Sequence, residues 1–317
     1  MIRIGIYGYG NLGHGVEEAA ARSSDIQTAA IFTHRASDGL SSPFGTLILP
    51  TEATDEQAER IDVMIVCSGS AQDTPIVSPA LARRYSIVDS YDCHGRIARH
   101  ISAVDAAARE GGTLALVAAG WDPGLFSIMR AFGEAFIPHG ESVTFWGRGV
   151  SAGHSEAARH VRGVIDAREY TVPIPLAVDR ARSGEGKPSE REMHRRECYV
   201  VAAPDADRER IAADIRAIPD YYEPYDTEVI FITAEQMERE HAGMPHGGRV
   251  IRHGEGSTAE FSLRLDSNPR FTASVLLCCA RAVARMHENG ERGCRTVLDI
   301  PPAFLLPQGD KRLHELL

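Results

Sequence analysis

Paired cysteines, excess basic charge and long apolar runs are all missing from this 317-residue sequence. Its six cysteines (Cys67, Cys93, Cys198, Cys278, Cys279 and Cys294) form no CxxC pair and no framework spacing. That excludes a disulfide scaffold and favours reduced thiols in a cytosolic protein. Acidic residues outnumber basic ones, 44 to 34, for a formal net charge of −10. Such a balance argues against nucleic acid or an anionic membrane as partner, while a few local Arg and His residues could still hold an acidic substrate. The longest apolar stretches, near 271–280 and 111–121, fall short of the roughly 20 residues that a membrane helix needs. No charged-then-apolar leader precedes the first strand, so the expected location is cytoplasmic. Internal repeats, low-complexity tracts and a G-x-S-x-G elbow are missing too. His241, His246 and His253 lie five and seven residues apart, not at the H-E-x-x-H spacing, and no metal site is expected. Cys93 beside His94 is no nucleophile pair on this ground alone, since chain neighbours need not meet in space.

What is present is an ordinary globular composition, 43% hydrophobic and 25% charged, with length enough for two domains. It opens on Ile-Arg-Ile-Gly-Ile-Tyr-Gly-Tyr-Gly-Asn-Leu-Gly-His-Gly. Ile2, Ile4 and Ile6 make a short apolar strand, and residues 16–22 read as a helix. Between them Gly8, Gly10 and Gly13 spell G-x-G-x-x-G, with Asn11 and Leu12 inside the motif. The first glycine permits the tight turn, the second lets backbone approach a pyrophosphate, and the third packs helix on strand. The pyrophosphate would sit on the helix N-terminus, where free N–H groups favour anions. The second strand, 28–32, ends in Thr33-His34-Arg35 with no carboxylate to grip a ribose 2′-hydroxyl. A cation there suits a 2′-phosphate, so NADP(H) is expected over NAD(H).

Strands at 61–67, 85–88 and 113–119, with a helix at 97–109, continue the alternation. Alternating strands and helices imply a doubly wound parallel sheet, whose ligands lie beyond the carboxyl ends of its strands. Ser68, Gly69 and Ser70 close the first of these strands and are expected to line the cofactor. Asp92, and the Trp121-Asp122 pair, follow the next two and are candidates for chemistry. From about residue 125 the pattern changes: strands at 143–146, 170–173, 198–202, 229–233, 249–253 and 259–265 surround a helix at 205–217. A long helix, 272–288, stops at Asn289-Gly290 and is expected to return to the first domain. The fold class is therefore α/β: a doubly wound Rossmann domain (1–123, with roughly 267–317 packing back) plus an α+β substrate and dimerisation domain (124–266) with an open mixed sheet.

Several segments resemble one family, meso-2,6-diaminopimelate D-dehydrogenase. They are Gly8-Tyr9-Gly10-Asn11-Leu12-Gly13, Asp89-Ser90-Tyr91-Asp92, Gly120-Trp121-Asp122-Pro123-Gly124 and Thr144-Phe145-Trp146-Gly147, then Gly153-His154-Ser155, Met244-Pro245-His246-Gly247-Gly248 and Asn268-Pro269-Arg270-Phe271-Thr272-Ala273-Ser274. The resemblance implies an NADP-dependent homodimer that reversibly deaminates the D-centre of meso-diaminopimelate, a step of lysine biosynthesis. It implies that Asp92 and Asp122 face the reacting amine, with Trp121 shaping the pocket. At the distal L-centre it points to Thr171, Arg196, His246 and Asn268, with Arg196 as a planar fork for a carboxylate. Phe145 and Trp146 are expected to wall the pocket and His154 to touch substrate. Two residues depart from the family pattern: His34, where a second arginine is usual, and Ala152, where Gln is usual. The second departure would broaden the range of D-amino acids accepted. Two other readings fit the glycines: a broader-range NADP-dependent D-amino-acid dehydrogenase, and a non-catalytic NADP(H)-sensing Rossmann protein.

Overall fold

The computed structural model describes residues 1–35, 39–70, 72–219, 221–307 and 313–317. In chain order the first elements are β1 (Ile2–Tyr7), α1 (Asn11–Ala21), β2 (Ile26–Phe32), β3 (Ile48–Leu49), β4 (Val63–Val66), α2 (Thr74–Ala82), β5 (Ser86–Asp89), α3 (Ile97–Gly111), β6 (Leu114–Leu116) and α4 (Leu125–Phe136). Next come β7 (Glu141–Trp146), β8 (Gly149–Ser151), α5 (Ala152–Arg159), β9 (Val164–Pro173), α6 (Pro175–Ser183), α7 (Glu190–Met193), β10 (His194–Ala202), α8 (Arg208–Arg216), β11 (Asp226–Phe231), α9 (Ala234–His241), β12 (His246–Gly254) and β13 (Ser257–Leu265). Then follow α10 (Asn268–Glu288) and β14 (Gly293–Arg295). Two compact units result: Met1–Ile128 with Pro269–Leu317, and Met129–Asn268.

In the first unit seven strands lie parallel in the order β14-β6-β5-β4-β1-β2-β3. Apart from the added β14 this is the Rossmann winding. Helices cover both faces, so the strands are apolar throughout rather than alternating. Val63, Met64, Ile65 and Val66 of β4 are all buried, each worth about 1.5–3 kcal/mol relative to exposure. Ile4, Ile6, Val16, Leu276, Leu277 and Ala280 share one core, while Phe32, Met64, Leu81, Ile87, Val104 and Val117 form the other. Two features were not anticipated. The first helix begins at Asn11 rather than Val16, because Gly13 and Gly15 are poor helix formers that close packing retains. A Cβ on Gly13 would stand 2.2 Å from the Gly8 carbonyl oxygen. α2 carries Pro75 near its start, where proline is tolerated, and Pro79 inside, which hides it from a periodicity reading.

In the second unit the strands divide between two sheets. β11-β10-β9-β8 is mixed, antiparallel except for the β10–β11 pair, and β13-β12-β7 is antiparallel. The glycine-rich stretch after Trp146 holds β8 and the start of α5 rather than a loop. One face of the four-stranded sheet packs Ala167, Cys198 and Val200 against Ala158 of α5 and Ile211 and Ile215 of α8. Along that same face, the pleat places Glu169, Thr171 and Arg196 next.

Candidate active site

The glycine turn of the first unit is built as its spacing demands. Gly8 has φ +98°, and a Cβ there would stand 2.8 Å from the Cys67 carbonyl. Gly10 caps α1 and has nothing within 4 Å of the Cβ it lacks. The backbone there is open to a pyrophosphate and faces the helix N-terminus. Beside it lies a cavity of about 410 Å³, lined by Gly8, Gly10, Thr33, His34, Arg35 and Ser68 among others. Thr33 Oγ1 accepts the Arg35 N–H at 3.3 Å, and Arg35 Nη2 donates to the Tyr9 carbonyl at 2.7 Å. That contact carries the guanidinium over the glycine turn. His34 Nδ1 is 3.0 Å from Thr51 Oγ1. Thr51, Asp73, Ile76 and Val77 also line this cavity and were missed in sequence. Asn11 opens α1, whereas the Leu12 side chain packs on the core, so only its backbone can serve a cofactor.

Ser70, expected to line the cofactor, is also tied to Asp92. Its Oγ donates to Asp92 Oδ1 at 2.5 Å and accepts the Asp92 N–H at 3.0 Å. Ser68 Oγ lies 3.2 Å from Thr74 Oγ1, and the Gly69 N–H donates to Asp73 Oδ2 at 3.2 Å. Asp92, Trp121 and Asp122 stand beyond the carboxyl ends of β5 and β6, which are adjacent in the sheet. Trp121 is buried edge-on against Phe126, centroids 5.2 Å apart. The Gly120 and Trp121 carbonyls accept the Leu125 and Phe126 N–H groups that open α4, and the Ser127 hydroxyl accepts the Gly124 N–H just before it.

A residue missed in sequence stitches these loops together. Asp89 is fully buried. Its Oδ1 accepts the Tyr91 and Ala118 N–H groups at 3.1 and 3.0 Å. Its Oδ2 accepts from the Ser78 hydroxyl at 2.7 Å and lies 2.7 Å from His100 Nε2. The turns that carry Asp92 and Asp122 therefore hang on one carboxylate.

In the second unit the β9–β10 register sets Thr171 opposite Arg196, and β8 sets Gly149 opposite Thr171. The Arg196 guanidinium donates to Thr171 Oγ1 and lies over the Tyr225 ring at 3.9 Å. His246 lies across Gly149, where a Cβ would stand 2.5 Å from its ring. Asn268 donates its N–H to the Met244 carbonyl at 2.9 Å, beside that histidine loop. His154 is bonded to Ser151 Oγ at 2.7 Å, and burial with nearby Arg196 pushes its imidazole down to about 3. Thr171, Arg196, His154, His246 and Asn268 are thus gathered in one region.

Trp146 donates its N–H to His194 Nε2 at 2.9 Å and stacks on that ring. An imidazole that accepts at Nε2 is neutral, and burial pushes His194 down to about 4. Phe145 is corrected: alternation turns it inward, and it is fully buried among Val143, Val178 and Ile251. It packs the core and walls no pocket. Among the described residues no group of three or more His, Cys, Asp or Glu is placed to hold a metal. No helix among the described residues is long and apolar enough to cross a membrane.

Residues 120–267 match the family model described as the diaminopimelic acid dehydrogenase C-terminal domain. The chain is 45% identical to the meso-diaminopimelate D-dehydrogenase of Acetivibrio thermocellus, over 100% of this chain and 97% of that one. It is similar to the solved structure of the C. glutamicum DAP dehydrogenase in complex with DAP (TM-score 0.91, 42% identity, 99% of this chain and 98% of that one). It is also similar to an engineered D-amino acid dehydrogenase bound to NADP+ (TM-score 0.86, 41% identity, 99% and 98% covered).

Proposed function

The chain belongs to the meso-diaminopimelate D-dehydrogenase family, and from that premise we propose how its residues divide the labour of catalysis. It catalyses the reversible, NADP-dependent oxidative deamination of meso-2,6-diaminopimelate at its D-centre, giving L-2-amino-6-oxopimelate and ammonia. The observation that carries this reading is 45% identity over the whole length to a meso-diaminopimelate D-dehydrogenase.

The cradle fits a dinucleotide: an open Gly10 at a helix N-terminus, a close-packed Gly13, and the Arg35 cation over the turn. When bound, the nicotinamide supplies the redox chemistry by accepting the α-hydrogen of the D-carbon with its electron pair. Only a neutral amine gives up that pair readily, so the ammonium must first lose a proton. Asp92 takes it, its carboxylate held in one orientation by Ser70. Asp122 accepts a remaining N–H, and Trp121 shapes the wall beside it. Arg196 holds the distal carboxylate as a fork, with Thr171, His246, His154 and Asn268 supplying hydrogen bonds. The protein is read as a cytoplasmic homodimer. Six unpaired cysteines support that location, and the family resemblance supports the dimer.

The test is absorbance at the reduced-nicotinamide band with meso-diaminopimelate and NADP+ or NAD+, using the LL isomer and simple D-amino acids for comparison. Rapid reduction of NADP+ with the meso isomer alone is expected. Equal rates across D-amino acids would overturn the two-ended site, and light scattering in solution checks the dimer.

A further inference from the structure

The site in the second unit contains a carboxylate to which the reaction described so far gives no role. Glu169 is two residues before Thr171 on β9, on the same face, and is fully buried. Its Oε1 accepts from Thr171 Oγ1 at 3.3 Å and lies 3.5 Å from Arg196 Nη1. Its Oε2 has no hydrogen-bond partner among the described residues, nor has Arg196 Nε. The backbone around it is fixed, since the Glu169 N–H donates to Ser155 Oγ at 2.9 Å. We propose that Glu169 is a positioning residue for the Arg196 guanidinium, and that a carboxylate docked on that guanidinium holds a proton on Glu169, taken up from solvent wherever the free site is ionised. This rests on Arg196 being the holder of the distal carboxylate.

The argument is one of charge. A carboxylate within hydrogen-bond reach of Arg196 would stand close to Oε1, and two like charges in a dry site do not both stay ionised. The proton goes to Oε2, the oxygen with no donor, and converts it from acceptor to donor. Among the described residues, Arg196 is the one cation placed against Glu169. Facing Glu169 are Arg196 and Cys198 from β10, Ser155 and His154 from α5, Ser151 from β8, and Tyr222 from the turn after α8. His154 is held neutral, and burial pushes the Cys198 thiol up to about 12 and the Tyr222 phenol above its ordinary range. Glu197, on the reverse face with Arg148 and Arg195, adds like charge. Burial accordingly pushes the Glu169 carboxyl up to about 8, with Arg196 and Thr171 only partly offsetting it.

The free site then holds Glu169 protonated below that value and ionised above it, while the carboxylate-bound site stays protonated to higher pH. Affinity must fall as pH rises between the two, by up to about tenfold per pH unit. The experiment measures KM for meso-diaminopimelate at saturating NADP+ from about pH 6.5 to about pH 9.5. The wild-type protein, Glu169→Gln and Arg196→Met are compared. Wild-type KM is expected to climb about tenfold by about pH 9, and the Gln variant to lose that climb, with KM moving more than kcat. The substrate's own amines titrate alike in both and cancel. A Gln variant with the wild-type slope overturns the role of Glu169. An Arg196→Met variant with unchanged KM overturns the carboxylate reading beneath it. If the Gln variant does not fold, the heat of binding pimelate (a dicarboxylate without amines) to the wild-type protein decides the matter. Measured in two buffers of different ionisation enthalpy at about pH 8.5, it should report uptake of most of a proton. No uptake there overturns the proposal.

Discussion

Asp89 in the first unit and Glu169 in the second are both shut off from solvent, yet four donors converge on Asp89 while Glu169 keeps an oxygen with no donor among the described residues. The difference lies in what each carboxylate is next to. Asp89 sits where two strand-end turns expose backbone N–H groups, and a carboxylate with four acceptor sites satisfies them while fixing both turns. Glu169 sits where a sheet face passes from apolar side chains to the Arg196 cation. One is complete without substrate. The other is complete only with a proton or a changed partner. A buried polar group left short of partners costs free energy, and such a cost is tolerated where it serves a ligand.

The sharpest way to test the first half is at the group Asp89 helps to place. Asp92→Ala should lower kcat about 100- to 10,000-fold, the range for a lost general base, while NADPH affinity measured by fluorescence stays near wild type. Unchanged turnover would remove Asp92 from the reaction. For the second half, Arg196→Met should raise KM for meso-diaminopimelate about a hundredfold, since a desolvated carboxylate loses its charged partner. Asp89→Ala leaves buried donors unmatched and should cost about 3–5 kcal/mol in urea unfolding. A loss well below 1 kcal/mol would mean that the turns hold without it. Arg35→Ala, outside both carboxylate clusters, should weaken NADP+ against NAD+ about ten- to a hundredfold.

A last set of effects concerns pH and stability, and here Glu169 and the buried histidines oppose each other. Glu169 keeps its proton when folded at pH values where the unfolded chain, near 4.5, has lost it. Its contribution to stability therefore falls as pH rises from 4.5 towards about 8. His154 and His194 are pushed down to about 3 and about 4, so between those values and 6.5 the unfolded chain binds protons that the folded one refuses. Their contribution falls on acidification. Thermal unfolding of Glu169→Gln against pH should lose the first slope and keep the second.

Much of this was legible beforehand wherever the signal was local. The glycine turn and the strand-end positions of Asp92 and Asp122 rest on turn chemistry and recognisable short segments, whereas Thr171 and Arg196 came only from the family resemblance, outside every quoted segment. Glu169 escaped because the expected strand began at 170, one residue too late for the two-residue alternation that puts it beside Thr171. Asp89 lay inside a quoted segment, but its partners Ser78, His100 and Ala118 are 11, 11 and 29 residues away. Ser70 was assigned to the cofactor by position, and its bond to Asp92, 22 residues on, could not be read from that position. Phe145 and Trp146 read alike as aromatic neighbours, and the pleat then buried one and exposed the other.

By itself, the amino-acid order determined the doubly wound sheet, the dinucleotide turn and the residue types available for amine and carboxylate chemistry. These follow from interactions within a few residues: apolar periodicity, glycine backbone freedom and helix ends. Tertiary structure decided which carboxylates are satisfied and which are left short, because burial and partner choice depend on strands and helices far apart in the chain. Asp89 and Glu169 are both acidic residues at strand positions. What separates them is the number of donors that packing delivers to each.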